Sequence, residues 1–422
     1  MFDKWNNHVN KFEKIVNLYR SINIDKDTSN YIDILESEFI LYHSFNSEYN
    51  FLKFLIRFLI SLFYQTKFKL IFSEKNLTDF TLVNTADYIF NDNLAPISMR
   101  INNIGKKTST IKLYKTKKIN IPLYFCYKNK FPLVKILSHF EIYSSKSNFI
   151  LTLYTYFITI PRVQHLEKLI ESSSNKISDI IISSDSSDIL PRALAVFSKK
   201  NNKSFILIQN GPIQEDSIEW KTSISDEIII WQENEDYFKK FKKNYKIYFP
   251  PRFYYTLENK ESLIKKYEVV IFLPWVLNNK NGNLLLNFIN NFFKYLINNT
   301  DFKIHIRYHP AGKIKLLNFN FEEISTNIST KEVLLSTKYV INFGSTISYD
   351  CNYLNIPCAV VNIENQLPDD SPIFNLNAVY NIKTFYDLNK FINDPYFFRN
   401  IKIDTSYSLI PYLISKLKNN NE

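Results

Sequence analysis

Two strand ends in the last third of the chain carry the residue types that hold a phosphate. Phe302-Lys-Ile-His-Ile-Arg-Tyr-His309-Pro310 and Lys338-Tyr-Val-Ile-Asn-Phe-Gly344-Ser345-Thr346 each run from an apolar stretch into small polar groups that open a helix. A strand end places side chains at the mouth of an open sheet. The helix that follows adds unpaired N–H groups and the positive end of its dipole. His309 can supply a proton or a charge, and Ser345 and Thr346 supply hydroxyl donors. Arg307, His309, Pro310, Gly344, Ser345 and Thr346 therefore form a candidate phosphate-binding set, expected at the ends of neighbouring strands. The plainer readings make His309 a turn residue capping its helix and Arg307 a solvent-facing residue, since Arg307 alternates with Ile304 and Ile306. His305 lies deeper in the same strand and reads as structural.

Glycine use points to the same places. The chain holds only five glycines in 422 residues, against a usual share of ~7%. Gly211, Gly312 and Gly344 all fall within three residues of the segments read as a site. Glycine is retained where a backbone turns tightly or approaches a ligand.

Three acidic clusters follow strands in the N-terminal half. They are Asn84-Thr-Ala-Asp87, Ser183-Ser-Asp185-Ser-Ser-Asp188 and Gln209-Asn210-Gly211-Pro-Ile-Gln-Glu215-Asp216. A carboxylate in such a place suits a general base that activates a sugar hydroxyl. Asp188 reads as a helix N-cap, which leaves Asp185 the better candidate and Asp87 a weaker one. There is no GxSxG, no P-loop and no GxGxxG, and these strand ends carry no DxD-type motif. Serine-nucleophile hydrolysis is thereby disfavoured, and phosphate charge is left to side chains and helix dipoles. No metal is expected: the six histidines lack HExxH or paired spacing, and Cys126, Cys351 and Cys358 form no CxxC. No RNP-like or zinc-finger pattern suggests nucleic acid.

With 45% hydrophobic and 22% charged residues, the chain reads as a soluble globular protein of two or three domains. Its net charge of +11 favours an anionic partner, discounted because the excess of Asn, Lys, Ile and Phe looks like a bias toward AT-rich codons. Cysteine usage fits a reducing compartment. The N-terminus has no apolar signal core, so the expected location is cytoplasmic.

The elements that must position these residues alternate strand and helix. Residues 1–76 read as a helical extension. Within it Phe51–Phe72 is an apolar helix with a polar stripe of Lys53, Arg57, Ser61 and Gln65, too interrupted to span a membrane. That helix either packs into a core or lies on a membrane surface with its cations toward anionic lipid. Residues 77–250 read as a first doubly wound α/β domain, 251–267 as a linker, and 268–400 as a second such domain. Residues 401–422 read as a C-terminal helix and tail. Apolar runs are expected as strands at Phe80–Thr85, Ser109–Leu113, Ile121–Cys126, Asp179–Ser183, Ser204–Gln209 and Glu227–Trp231 in the first domain. In the second they fall at Glu268–Leu273, Phe302–Tyr308, Tyr339–Phe343 and Cys358–Asn362, with everything later helical. Near-continuous apolar strands separated by helices signal parallel sheets covered on both faces.

On these motifs the chain resembles the GT-B glycosyltransferases of bacterial surface polysaccharide synthesis, over roughly residues 78–395. It is most similar to the CMP-sugar enzymes, the sialyl and Kdo-type transferases. These carry an acidic-acidic-Gly motif, then His-Pro and a Ser/Thr pair; His309-Pro310 and Ser345-Thr346 match the latter two. Teichoic-acid polymerases that use CDP-glycerol share a similar His-Pro and Ser-Ser pair. The resemblance implies two Rossmann-like domains facing across a cleft and a nucleotide-sugar donor, CMP-linked, with no other cofactor. It also implies a glycan or glycolipid acceptor, with contact to the inner membrane surface through 51–72 as a further partner. His309 and the Ser345-Thr346 hydroxyls would hold the donor phosphate, with Asn210, Gly211 and Asp87 toward the substrate. The departure is Gln209-Asn210-Gly211 where the acidic motif belongs. The base then falls to Asp185, Glu215 or Asp216, or the chain is a non-catalytic nucleotide- or glycan-binding relative. CDP-polyol and UDP-hexose donors are the enzymatic alternatives.

Overall fold

A computed structural model describes residues 51–63, 65–119, 155–211, 220, 223–231, 234–239, 244–248, 250, 265–274, 280–299, 303–309, 321–363, 367, 371–393 and 409–419. The chain divides into two compact units, Met1–Tyr254 with Ser406–Glu422, and Tyr255–Thr405.

The described elements of the first unit are α1 (Phe51–Phe63), β1 (Gln65–Phe72), β2 (Phe80–Asn84), α2 (Asp87–Asn93), α3 (Ala95–Asn103) and β3 (Thr108–Ile119). They continue with α4 (Ile160–Ser172), β4 (Ile180–Ser183), α5 (Ile189–Lys200), β5 (Ser204–Ile208), β6 (Glu227–Ile230), α6 (Glu235–Lys239) and β7 (Tyr245–Ile247). The strands form one seven-stranded sheet in the order β1-β3-β2-β4-β5-β6-β7. All neighbours are parallel except β1 on β3. Every residue of β2 and of β4 is buried, as a strand covered on both faces requires. On one face, Val163, Leu166 and Ile170 of α4 and Leu190, Leu194 and Phe197 of α5 pack on Val83, Ile111 and Ile181. Each such side chain removed from water contributes roughly 1.5–3 kcal/mol. Pro161 suits the first turn of α4, and the Asp188 carboxylate caps α5 by accepting the Leu190 N–H at 3.1 Å.

The structure corrects the reading of 51–72 as one helix. The helix stops at Phe63, and Gln65–Phe72 is a strand paired antiparallel to β3, from Gln65↔Ile119 to Phe72↔Ile111. Lys67 and Lys69 are exposed while Phe68 between them is buried, a period of two that the four-residue stripe obscured. Lysines also suit an edge strand, where they discourage further pairing.

The second unit contains β8 (Tyr267–Phe272), α7 (Lys280–Asn299), β9 (Ile304–Arg307), β10 (Glu322–Glu323) and α8 (Thr330–Leu335). After these come β11 (Thr337–Asn342), α9 (Ile347–Leu354), β12 (Cys358–Val361), β13 (Val379–Ile382) and α10 (Phe385–Asn393). Its six strands run β10-β9-β8-β11-β12-β13, all parallel. Counted from β8 this is 3-2-1-4-5-6, the order of dinucleotide-binding sheets. Phe288, Phe292, Phe293 and Leu296 of α7 cover one face over Val269, Ile271 and Ile341. Val333, Leu334 and Cys351 cover the other over Val270 and Val340. The two doubly wound Rossmann-like units expected from the alternation are both present.

The expectation that everything beyond Asn362 is helical fails at β13. Its four residues pair with Cys358–Val361, a contact that a stretch this short does not announce by alternation. β7 and β10 escaped for the same reason. The expected strand at 121–126 and most of the linker lie outside the described residues. The last helix, α11 (Leu409–Asn419), belongs to the first unit. Tyr412 stacks on Tyr248 at 5.3 Å between ring centroids and donates its hydroxyl to Glu227, which also pairs with Lys416 at 3.4 Å.

Candidate functional site at the strand ends

In an open parallel sheet, ligands bind outside the carboxyl ends of the strands where the connections part to opposite sides. In the second unit that point is the end of β8, which lies between β9 and β11. Arg307, Phe272 and Asn342 are level across these three strands. His309 and Gly344 each lie two residues further on and flank the end of β8. This corrects the expectation of neighbouring strands. With β8 intervening, the ends of β9 and β11 stand two strand spacings apart, about 9.5 Å. A single phosphate touching both sides would sit over β8.

Asn342 shapes the β11 side. Its side chain is fully buried, and its Oδ1 accepts the N–H groups of Gly344 at 3.0 Å and Ser345 at 2.9 Å. Its Nδ2 donates to Ser348 Oγ at 2.9 Å and to Cys358 Sγ at 3.1 Å. Gly344 takes a φ of +82°, where a side chain is strained. Ser345 Oγ accepts the Ile347 N–H at 3.4 Å, which leaves its own proton to donate elsewhere. Thr346 opens α9 without capping it through its side chain. Both residues are partly exposed.

On the β9 side, His309 is half-buried, and burial pulls its imidazole below the usual histidine pKa. It is therefore neutral near pH 7. Arg307 differs from both sequence readings. It is 4% exposed, and its guanidinium donates to the main-chain carbonyls of Ile328 at 2.6 Å and Ser325 at 3.4 Å. It braces the turn that leads into α8. His305 is buried against Tyr267 and pairs with Glu322 at 2.9 Å. Pro310 lies outside the described residues.

In the first unit the connections part at β2 and β4, and two of the acidic clusters lie there. Asp87 Oδ1 accepts from Lys112 Nζ at 2.7 Å and Asn84 Nδ2 at 2.9 Å. The hydrogen bond from Lys112, then that from Asn84, holds its carboxyl below the usual carboxylate range. Asp185 Oδ1 accepts the N–H and Oγ–H of Ser187, at 2.7 and 2.8 Å, and the Asp188 N–H at 3.4 Å. Burial, and then the charge of Asp185, push Asp188 upward. Gln209 is fully buried; its Oε1 accepts the Trp231 N–H at 2.7 Å. Its Nε2 donates to Gly211 O at 2.7 Å and to Asn234 Oδ1. Asn210 and Gly211 are half-buried beside it, and Glu215 and Asp216 lie outside the described residues.

A recurrent signal went unread in the sequence. Four apolar strands end in a buried amide: Asn84, Gln209, Asn342 and Asn362. An amide offers a donor and an acceptor together, so one side chain can close the turn that follows. Asn362 does so by exchanging two hydrogen bonds with the Leu367 backbone, at 2.8 and 3.1 Å. Among the described residues, no cluster of His, Cys, Asp and Glu could hold a metal ion.

No protein-family model and no curated protein sequence matches the chain. Among solved structures it is similar to UDP-GlcNAc 2-epimerase from Neisseria meningitidis bound to UDP-GlcNAc. The identity is 11% over 81% of this chain and 99% of that one, with a TM-score of 0.48. The UDP-GlcNAc 2-epimerase from Methanocaldococcus jannaschii is 11% identical over 81% and 98% of the two chains, with a TM-score of 0.45. The wall teichoic acid polymerase TagF is 14% identical over 60% and 76%, with a TM-score of 0.41.

Proposed function

We propose that the chain is a metal-independent, inverting GT-B glycosyltransferase that moves an acidic sugar from a CMP-activated donor to a surface glycan. One observation carries this reading. His309 and the Gly344-Ser345-Thr346 turn flank the carboxyl end of the first strand in a 3-2-1-4-5-6 sheet, the place where such sheets take nucleotides. In the proposed reaction a carboxylate of the first unit takes the proton of the acceptor hydroxyl, whose oxygen attacks the anomeric carbon. The bond from that carbon to the phosphate oxygen breaks, and the nucleotide leaves with the electron pair. His309, Ser345 and Thr346 stabilise the charge gathering on the phosphate. The base is Asp185, Glu215 or Asp216: Asp185 accepts its hydrogen bonds on Oδ1, and a carboxylate has further lone pairs with which to take a proton. The choice of CMP rests on the motif resemblance alone.

A second reading has one observation in its favour. Gln209 stands where the acidic motif belongs and is fully engaged in holding its turn, as a non-catalytic nucleotide- or glycan-binding scaffold would allow.

Thermal shifts with CMP, CDP, UMP, UDP and GDP, on wild type and His309→Ala, test both. Stabilisation follows RT ln(1 + [L]/Kd), so millimolar nucleotide reveals weak sites. A CMP-selective shift lost in the variant supports the acidic-sugar transferase. CDP or UDP selectivity redirects it to polyol-phosphate or hexose transfer. No shift with any nucleotide overturns the strand-end site.

A further inference from the structure

β1 and β3 leave the rest of the first sheet as a two-stranded ribbon. β2 pairs with β3 only as far as Asn84↔Lys112, whereas β1 follows β3 on to Gln65↔Ile119. The stretch from Lys112 to Ile119 therefore carries the ribbon about 23 Å beyond the carboxyl end of β2. One face of the ribbon is core: Phe68 is buried against His165 of α4, and Leu70 and Leu113 pack on the apolar cluster that α4 helps to form. The other face is open. Lys67, Lys69 and Ile71 of β1 and Tyr114 of β3 are all exposed on it, with Lys69 directly opposite Tyr114 and Ile71 opposite Lys112. Neither strand contains an aspartate or a glutamate. At its base the ribbon meets the carboxylates of the strand ends: Lys112 pairs with Asp87 at 2.7 Å, and the charge of Lys115 acts on Asp188. Lysine on an edge strand guards it against further pairing, but that leaves Tyr114 and Ile71, open among the lysines, unexplained.

We infer that this open face holds an extended anionic glycan, with Tyr114 under a sugar ring and Lys67 and Lys69 on the acidic groups of successive units. Side chains two residues apart on a strand stand about 7 Å from each other, so these lysines suit charges spaced along a chain better than a single phosphate. A sugar ring has an apolar C–H face, and tyrosine offers it a large rigid surface at low entropic cost. A lipid surface fits less well. An element lying in a membrane gathers its apolar groups together with cations along the border, whereas here Lys69 and Tyr114 face each other across the strands. That the face takes a polyanion stands on the ribbon alone; that the polyanion is the acceptor glycan rests on the proposed transferase reading.

The test measures binding of the full-length protein to labelled alginate oligosaccharides, which are linear and carry a carboxylate on every ring. Neutral dextran oligosaccharides and poly-glutamate, a polyanion without sugar rings, serve as comparisons. Wild type should bind alginate at least tenfold tighter than dextran, and less tightly as salt rises. Lys67→Glu with Lys69→Glu should weaken alginate and poly-glutamate alike, by at least tenfold. Lys75→Glu with Lys199→Glu changes the net charge equally at exposed lysines elsewhere, and should cost less than twofold. Tyr114→Ala should weaken alginate severalfold and leave poly-glutamate as in wild type. All these side chains are exposed, so the melting temperature should not fall. Equal weakening by the two lysine pairs would reduce the binding to net charge and overturn the inference. Tyr114→Ala acting on both polyanions equally, or on neither, overturns the glycan. Phosphatidylglycerol vesicles bound through Lys67 and Lys69, with alginate unbound, would assign the face to lipid instead. The expected alginate pattern supports the inference even where no nucleotide shifts the wild type, a result that overturns the strand-end site alone.

Discussion

Leu367 occupies the space that a side chain on Gly344 would need. A Cβ built on Gly344 falls 2.7 Å from Leu367 Cδ1, and the φ of +82° is one that L-residues avoid. Gly105 has nearly the same backbone, with φ +78°, and nothing within 4 Å of its Cβ position. The pair separates two penalties. Gly105→Ala should lose only the backbone term, about 1–2 kcal/mol. Gly344→Ala should lose more, and Leu367→Ala in the same chain should recover the excess. Urea denaturation of the four variants forms the cycle; equal losses at both glycines would show that Leu367 simply moves aside.

Asn342 fixes the same turn from beneath. Asn342→Ala leaves two N–H groups and the Ser348 hydroxyl without this partner, at about 1–3 kcal/mol for each buried group left unpaired. Asn342→Asp keeps the acceptor for Gly344 and Ser345 but loses the donor and buries a charge. Both should lower the urea midpoint, and both should weaken nucleotide-induced thermal shifts more than they weaken the fold elsewhere. Hydrogen exchange at Gly344 and Ser345 checks the mechanism: protection should fall there first.

The turns that Asn342 and Gln209 close show what the sequence revealed and what it hid. The alternation of apolar strands with helices was legible because strands such as β2, β4, β9 and β12 are buried on both faces and read as nearly continuous runs. The strand ends at His309 and Ser345 were legible for the same reason. Hidden were features set by pairing across the sheet. Gln65–Phe72 joins β3 through partners that lie from Ile111 to Ile119, far along the chain, and β13 is only four residues long. Arg307 was misread because its partners, Ser325 and Ile328, come from a turn far along the chain. The intervening place of β8 follows from strand order, which composition and period do not encode.

Gln209 invites restoration of the acid that its motif lacks. The prediction is that Gln209→Glu fails structurally. A carboxylate can still accept the Trp231 N–H, but its second oxygen then faces Gly211 O and Asn234 Oδ1, both acceptors. Two lost hydrogen bonds and a buried charge should cost at least about 2–4 kcal/mol. Gln209→Glu should therefore be less stable than Gln209→Met by urea denaturation, and it should gain no transferase activity. A glutamate variant as stable as wild type would mean that Asn234 turns its amide to donate.

Acid sensitivity should trace to two histidines. Burial pulls both His165 and His309 below the usual value of about 6.5. Below that value the unfolded chain binds protons that the folded chain refuses, so stability rises with pH there. It is complete above about pH 6.5 and is lost as pH falls through the folded-state values. Asp188 acts with the opposite sign. Its carboxyl is raised, so its contribution is present at low pH and lost as pH climbs from about 3.9 through its folded value. Urea midpoints measured from pH 8 to pH 5 should fall in wild type. His165→Phe, which keeps an aromatic ring against Phe68, and His309→Gln should each flatten part of that fall, and Asp188→Asn should not flatten it. Bound phosphate favours the charged imidazole, so millimolar nucleotide should flatten the His309 share in wild type and change nothing in His309→Gln. A slope untouched by either histidine variant would place the acid sensitivity in other groups.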